Sequence, residues 1–337
     1  MIETRSWAAR SQSGKFEPAS FTPGPSGPEE VEIAVEYCGI CHSDLSMLDN
    51  AWNMTQYPFV GGHEVIGRVV EVGPQVRGLK LGDRVGVGWN AASCLHCQVC
   101  LCGEQQLCSS AQGTIVSRHG GFAERVRAHW LWAIPIPPEL DPSAAGPLLC
   151  GGITVFEPFL KFDVLPTHRV AVVGIGGLGH MAVKFARAWG CEVVALSSSE
   201  SKFDEVRAMG AHRVLSSRDP SAIKSLRGSL DLIIVTVNVP MNWETLIAAL
   251  APQGRLHVVG AVLEPMEISA FSLIGGMKQV SGSPTGSRSD IDEMLRFAAR
   301  HQILPQVEHF PMSKINQAFD HLRAGKARYR IVLDADF

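Results

Sequence analysis

The stretch VAVVGIGGLGHMAVKFA, residues 170–186, sets Gly174, Gly176 and Gly179 in G-x-G-x-x-G spacing between an apolar run and an amphipathic one. RVAVVG predicts a buried strand and LGHMAVKFARAWG a helix, so the glycines fall on a strand-to-helix turn. Each glycine then has its own task. The first permits a tight turn, the second lets the backbone approach a pyrophosphate, and the third lets the helix pack closely on the strand. Gly177 and Leu178 complete a turn whose N–H groups and helix N-terminus favour phosphate charge. Alone, such glycines are a weak signal; in a βαβ context they predict a dinucleotide site.

The context extends in both directions. CEVVALS, SKFDEVRAMGA, DLIIVTV and GRLHVVG continue as short apolar runs separated by a helical pattern, the rhythm of a doubly wound parallel sheet covered on both faces. The second strand ends in ALSSSESK, where an acid would be expected to hold the ribose of NAD. Ser197, Ser198 and Ser199 stand there instead, with Lys202 beyond, and hydroxyls with a cation tolerate the 2′-phosphate of NADP(H). Glu200 is the countervailing residue, and a plain helix-capping turn is the bland alternative.

Before this region the chain is strand-like and punctuated by glycine and proline. VEIAVEY alternates apolar and polar residues, and HEVIGRVVEVG, DRVGVG and GFAERVRA follow. After about Gly286 come the helical DIDEMLRFAARH and SKINQAFDHLRAG and a closing strand, YRIVLDADF. The expected architecture is therefore α/β, with a β-rich domain at 1–150, completed by 287–337, and a Rossmann domain at 151–286 inserted between. With 337 residues, two domains are the natural expectation.

Net charge of −3 gives no support for nucleic-acid binding, and no apolar run approaches the length of a membrane span. The polar beginning, MIETRSWAARSQSGK, lacks an apolar signal region, which points to the cytoplasm. Nine cysteines, an odd number, fit metal binding or catalysis better than a disulfide framework in that compartment.

Five of the nine crowd into CLHCQVCLCGEQQLC, residues 94–108. Cys94, Cys97, Cys100 and Cys108 form C-x2-C-x2-C-x7-C, which can fold one loop around a tetrahedral zinc and leave no open position. That makes the site structural, with Cys102 left over. An iron–sulfur reading fits less well, because the spacing to the fourth cysteine is too long and no proline follows it. A dispersed set differs in kind: Cys41 in YCGICHSDL, His63 and Glu64 in VGGHEVIGRVVEVG, and Cys150 in GPLLCGGIT. Two thiolates and an imidazole would leave a zinc position open for catalysis, but spacing alone does not assemble residues so far apart.

These motifs together resemble the zinc-dependent medium-chain alcohol dehydrogenase family, and the resemblance covers nearly the whole chain: CGICHSD, GGHEVIGRVVEVG, GDRVGVG, the cysteine loop, GPLLCGGITV, GIGGLGHMAVK and KARYRIV. LCGGITVF, the serine-rich turn and RYRIVLDADF are most similar to the cinnamyl alcohol dehydrogenase branch, especially its bacterial broad-range NADPH-dependent aldehyde reductases. The resemblance implies a GroES-like catalytic domain beside the Rossmann domain, with the active site in the cleft between them. Two zinc ions per chain are implied. One is catalytic on Cys41, His63 and Cys150, with Glu64 as an alternate ligand or close neighbour, and the other is structural. Asp44 would orient His63, and Ser43 would be the proton-relay hydroxyl. His42 and Arg330 fall where relatives contact cofactor phosphate, and Thr154 falls beside the nicotinamide. Ser46 departs from the family, where a histidine often carries the proton on to solvent. Trp52 and Trp89 resemble substrate-pocket positions, although either could be a core residue.

The function expected is reversible reduction of aliphatic and aromatic aldehydes to primary alcohols with NADPH. An NAD-dependent primary alcohol dehydrogenase working oxidatively is the alternative. A zinc-free quinone reductase and a non-enzymatic redox sensor would both leave the open-site set and Ser43 without a purpose. A homodimer through the cofactor domains, or a tetramer, is expected.

Overall fold

A computed structural model describes residues 3–337. The chain divides into two compact units. One is the chain up to Gly151 together with Thr285–Phe337, and the other is Gly152–Pro284.

The second unit is built on a six-stranded parallel sheet. Arg169–Val173 lies at its centre, flanked on one side by Glu192–Ser197 and then Arg213–Ser216, and on the other by Leu230–Val235, Leu250–Val258 and Gln279–Gly282. This is the strand order of a dinucleotide-binding sheet, with the direction reversing at the first strand. The central strands are buried on both faces, which is why VAVV and LIIV read as continuous apolar runs rather than alternating ones. The helix Gly179–Trp189 follows the first strand and ends at Gly190, whose φ of 107° closes the turn. Two strands carry little sequence signal. Arg213–Ser216 is four residues long, and the edge strand Gln279–Gly282 is mostly exposed.

The first unit is a seven-stranded sheet wrapped around its own core. Its long strand, Glu30–Ile40, pairs antiparallel with Val65–Val72 along one side. On the other side its first half takes Arg125–His129 and its second half takes the closing strand Arg330–Asp334. One strand therefore ties the start, middle and end of the unit together. An N-terminal hairpin, Thr4–Ala9 with Phe16–Phe21, adds a further pair, and Phe16 packs against Phe59, Phe122 and Phe319. Among the described residues, no single helix is long and apolar enough to cross a membrane.

Candidate active site and metal centres

In the first unit, Ile40 ends the long strand and the chain turns into a short helix, His42–Leu48, with Cys41 at its head. Asp44, fully buried, takes up the donors around it: its Oδ2 accepts the Cys41 N–H at 2.9 Å, and its Oδ1 accepts the Gly62 N–H at 2.8 Å. The same Oδ1 lies 3.1 Å from Nδ1 of buried His63. That contact fixes the proton on Nδ1 and leaves Nε2 as the lone-pair donor. Nε2 is 3.2 Å from Cys150 Sγ, and Cys150 Sγ is 3.9 Å from Cys41 Sγ. Cys41, His63, Glu64 and Cys150 thus meet, with one donor atom of each within 4.8 Å of the others.

The environment of the cluster is ionic and dry. The Glu64 carboxylate is buried, and its Oε1 pairs with the guanidinium of Arg330, also buried. Among the described residues, Glu64 Oε2 has no hydrogen-bond partner. A buried carboxylate oxygen left bare costs about 1–3 kcal/mol or more unless something polar meets it, which is one sign that the cluster is shaped for a cation. Burial pushes the Glu64 carboxyl upward against the pull of Arg330. Burial opposes the charge on Arg330 too, yet Glu64, Cys41 and Cys150 outweigh it and hold the guanidinium protonated. Contact with Cys150 draws the Cys41 thiol well below its usual range, while the same contact and burial push Cys150 well above. Burial alone would lower His63, but the charge of Asp44 raises it. Gly39 makes room for this arrangement, because a Cβ there would lie 2.1 Å from Glu64 Oε2. CGIC could not read CAIC at this depth.

Ser43 Oγ lies 3.7 Å from Cys41 Sγ, so a hydroxyl stands at the edge of the cluster. The neighbouring His42 is exposed and Ser46 half-buried. The Trp89 ring stands edge-on to His63, with centroids 5.1 Å apart at 84°, and Trp52 packs on Trp89 at 6.1 Å. Both tryptophans are only partly buried, so an aromatic wall adjoins His63.

The second centre is the cysteine loop. Cys94 Sγ lies 3.6 Å from Cys108 and 3.9 Å from Cys100, and Cys97 lies 3.9 Å from Cys108. Four thiolates at about 2.3 Å from a tetrahedral zinc are separated by about 3.8 Å, so the observed edges fit that ion. Backbone N–H groups of His96 and Cys97 pull the Cys94 thiol down to about 6. Cys102 is exposed and outside the set, its sulfur accepting from Gln98 Nε2 at 3.3 Å.

In the second unit the three fingerprint glycines separate by function. Gly174 has φ of 89°, and a Cβ there would meet Val237 Cγ1 at 2.3 Å. A Cβ on Gly179 would sit 1.9 Å from the Gly174 carbonyl, so helix and strand touch through it. Among the described residues, nothing lies within 4 Å of where a Gly176 Cβ would be. That open face of the turn, beside Gly177 and Leu178, is where a pyrophosphate can approach the backbone. Lys202 reaches back to this turn, its Nζ donating to the Ile175 carbonyl at 3.3 Å. Ser197 is buried and its Oγ accepts the Ser199 N–H at 3.2 Å, while Ser198 is exposed. Thr154 donates to the Pro284 carbonyl at 3.2 Å within the same unit.

The structure brings Cys41, Asp44, His63, Glu64 and Cys150 together and adds a partner that sequence reasoning did not place. Arg330 reads from the sequence as a phosphate contact, and its guanidinium lies on Glu64. The two are 266 positions apart, and no local pattern joins them.

Residues 27–138 match the Alcohol dehydrogenase GroES-like domain family and residues 177–300 the Zinc-binding dehydrogenase family. With this fold, these donor sets and near full-length relatives, the chain belongs to the zinc-dependent medium-chain alcohol dehydrogenase family. It is 50% identical to the Aldehyde reductase AdhA of Synechocystis over 98% of each chain. The cinnamyl alcohol dehydrogenase SbCAD4 from Sorghum bicolor superposes with a TM-score of 0.95 at 39% identity, over 99% of this chain and 98% of that one. A cinnamyl alcohol dehydrogenase from Helicobacter pylori, solved with NADP(H), superposes at 0.92 and 32% identity over 99% and 98%. Its place is the cinnamyl alcohol dehydrogenase-like branch, and it is an alcohol–aldehyde oxidoreductase.

Proposed function

We propose that the protein reduces aliphatic and aromatic aldehydes to primary alcohols with NADPH, reversibly, and holds two zinc ions per chain. The observation that carries the reading is the convergence of Cys41, His63 and Cys150 beside a bare carboxylate oxygen of Glu64. Cys41, His63 and Cys150 would hold the catalytic ion, and Cys94, Cys97, Cys100 and Cys108 the structural one. When bound, the catalytic zinc supplies Lewis acidity toward a carbonyl oxygen, and the nicotinamide supplies the hydride.

The chain's own residues do the rest. Asp44 keeps His63 in the tautomer that presents Nε2. Arg330 opposes the effect of burial on Glu64 and occupies one of its oxygens, while the other meets no hydrogen-bond partner among the described residues. The Ser43 hydroxyl is the relay that gives the product alcohol its proton, and Ser46 passes no proton onward as a histidine would. Trp89 and Trp52 offer an apolar aromatic wall, which favours alkyl and aryl aldehydes over polyols. Gly174, Gly176 and Gly179 with Gly177 and Leu178 seat the pyrophosphate, while His42, Thr154 and Arg330 act as further cofactor contacts.

NADPH over NADH rests on Ser197, Ser198, Ser199 and Lys202, with no carboxylate at the strand end. Glu200, exposed just beyond, is what favours the alternative, an NAD-linked alcohol oxidiser. A dimer through the cofactor unit is supported by Phe271, Ile274 and Met277, which are 85%, 69% and 72% exposed beside the edge strand. Nine free cysteines, seven of them proposed ligands, fit the reducing cytoplasm. Initial rates with NADPH and NADH across an aldehyde panel, beside a zinc count, test the whole reading. Turnover in a zinc-free Cys150→Ala variant would overturn it, as would a preference for polyhydroxylated substrates.

A further inference from the structure

In the first unit a cavity of about 350 Å³ lies among the N-terminal hairpin, the loop carrying Arg118 and His119, and the strand Arg125–His129. That is within the size range of small-molecule sites, about 300–1,000 Å³. Three guanidinium groups line it. Arg125 Nη1 and Arg127 Nε donate to the two oxygens of buried Glu32 at 2.8 and 2.7 Å, and Arg118 Nη1 pairs with Glu30 at 2.7 Å. Glu124, the neighbouring carboxylate, is taken by Arg5.

Three cations against two carboxylates leave one positive charge. The donors are left over as well. Each guanidinium carries five N–H donors, and among the described residues no protein acceptor meets Arg118 Nη2, or Nε and Nη2 of Arg125. These side chains are only 20% and 32% exposed, so solvent reaches them partially.

A second observation is independent of the arginines. Thr4, also in the lining, is 1% exposed, and among the described residues its Oγ1 has no hydrogen-bond partner. A buried hydroxyl without a partner is costly unless a ligand or water meets it. The remaining wall is aromatic: Phe21 and His119 lie with ring centroids 4.2 Å apart. Burial lowers the affinity of His119 for a proton, so that wall carries no further charge at neutral pH.

We propose that this cavity is a second ligand site, separate from the metal centres, that binds a small aromatic monocarboxylate. The free Nη2 of Arg118 and the free Nε–Nη2 edge of Arg125 would take the carboxylate, Thr4 Oγ1 would donate to it, and the Phe21–His119 wall would pack against the ring. One residual positive charge matches a monoanion better than a phosphate dianion. Such a site would serve the protein whichever aldehyde or cofactor the enzyme uses.

The test is a titration of 4-fluorobenzoate, followed by fluorine NMR, against zinc-loaded protein saturated with NADPH and alcohol product, a mixture that cannot turn over. Saturable binding is expected under those conditions. Arg125→Gln should weaken it about tenfold or more, and Thr4→Val, which removes only the bare hydroxyl, should weaken it severalfold. Both variants should reduce aldehydes at the wild-type rate. 4-Fluorobenzamide, neutral and of the same shape, should bind at least about tenfold more weakly than the acid. Unchanged affinity in both variants would overturn the site, as would the absence of saturable binding. Displacement of the probe by further alcohol product would mean that it had bound at the metal centre, and would overturn the site too. Equal binding of the amide, or stronger competition by inorganic phosphate than by benzoate, would overturn the monocarboxylate.

Discussion

Asp44 is where one substitution separates the stability of the site from its chemistry. Its two oxygens meet three donors, the N–H groups of Cys41 and Gly62 and the Nδ1 of His63, and none of them reaches water. Asp44→Ala strands all three. At about 1–3 kcal/mol per buried unpaired donor the loss is about 3–9 kcal/mol, against a total stability of about 5–15 kcal/mol for a typical domain. That variant should accumulate poorly as folded protein. Asp44→Asn keeps the volume and one acceptor oxygen but places an NH2 against at least one donor. Its expected cost is about 1–3 kcal/mol, and zinc should dissociate about 10–100 times more readily because His63 is no longer held in one tautomer. Urea unfolding of the metal-loaded and chelator-treated forms measures the first quantity, and competition with a zinc indicator measures the second. The loss in Asp44→Asn should be larger with metal bound. Wild-type zinc affinity in a stably folded Asp44→Asn would refute the claim that this carboxylate positions the ligand histidine.

Three further outcomes follow from other parts of the chain. Ser198→Asp puts a carboxylate at the exposed end of the second strand, where it would face a 2′-phosphate; kcat/KM with NADPH should fall about tenfold or more while NADH is spared, and an equal loss with both cofactors would contradict the serine-turn reading. His257 lies between Ser281 Oγ and Ser283 Oγ at 2.9 and 3.0 Å, and burial, aided by Arg255, pushes it down from 6.5 to about 4. The unfolded chain therefore takes up a proton that the folded chain refuses, so its contribution is complete above about pH 6.5 and is lost as the pH falls toward 4, up to about 3 kcal/mol. Urea midpoints between pH 4.5 and 7 should show that slope, and His257→Gln should flatten it. Phe271→Glu should convert the proposed dimer to monomer on light scattering, and an unchanged mass would place the interface elsewhere.

How much of this could be read from the sequence depends on how local each signal is. The parallel sheet was legible because a strand buried on both faces must be apolar throughout, and the Gly174, Gly176, Gly179 turn marks its first crossover. The strands Arg213–Ser216 and Gln279–Gly282 were not, since a short edge strand with exposed side chains need not carry an apolar pattern. The N-terminal hairpin was missed for a related reason: only Phe16 of its second strand is buried. The cysteine loop was legible as a set because its four clustered cysteines lie within fifteen residues. Cys41 and Cys150 lie 109 positions apart, and only likeness to known enzymes linked them before the fold did. Arg330 shows what such likeness leaves out. Its pairing with Glu64 depends on the closing strand lying against the strand that ends at Ile40, a register no composition reveals.

That pairing also bears on why the cluster is built from so many ionisable groups. Asp44, Glu64 and two thiolates would together carry four negative charges in a buried space, and Arg330 supplies one positive charge against them. Three uncompensated charges so deep are not sustainable; the contact between the two thiols draws Cys41 down and pushes Cys150 up, the direction expected of a pair that keeps one proton between them. A divalent cation held by the same groups would displace that proton and bring the imbalance from two to one. Arg330 is therefore more than a partner for Glu64. Replacing it with methionine would leave Glu64 to compete with the thiolates for the same cation, and the expected result is tighter zinc retention with slower turnover. Weaker retention in that variant would mean that Arg330 supports the ligands through packing rather than charge.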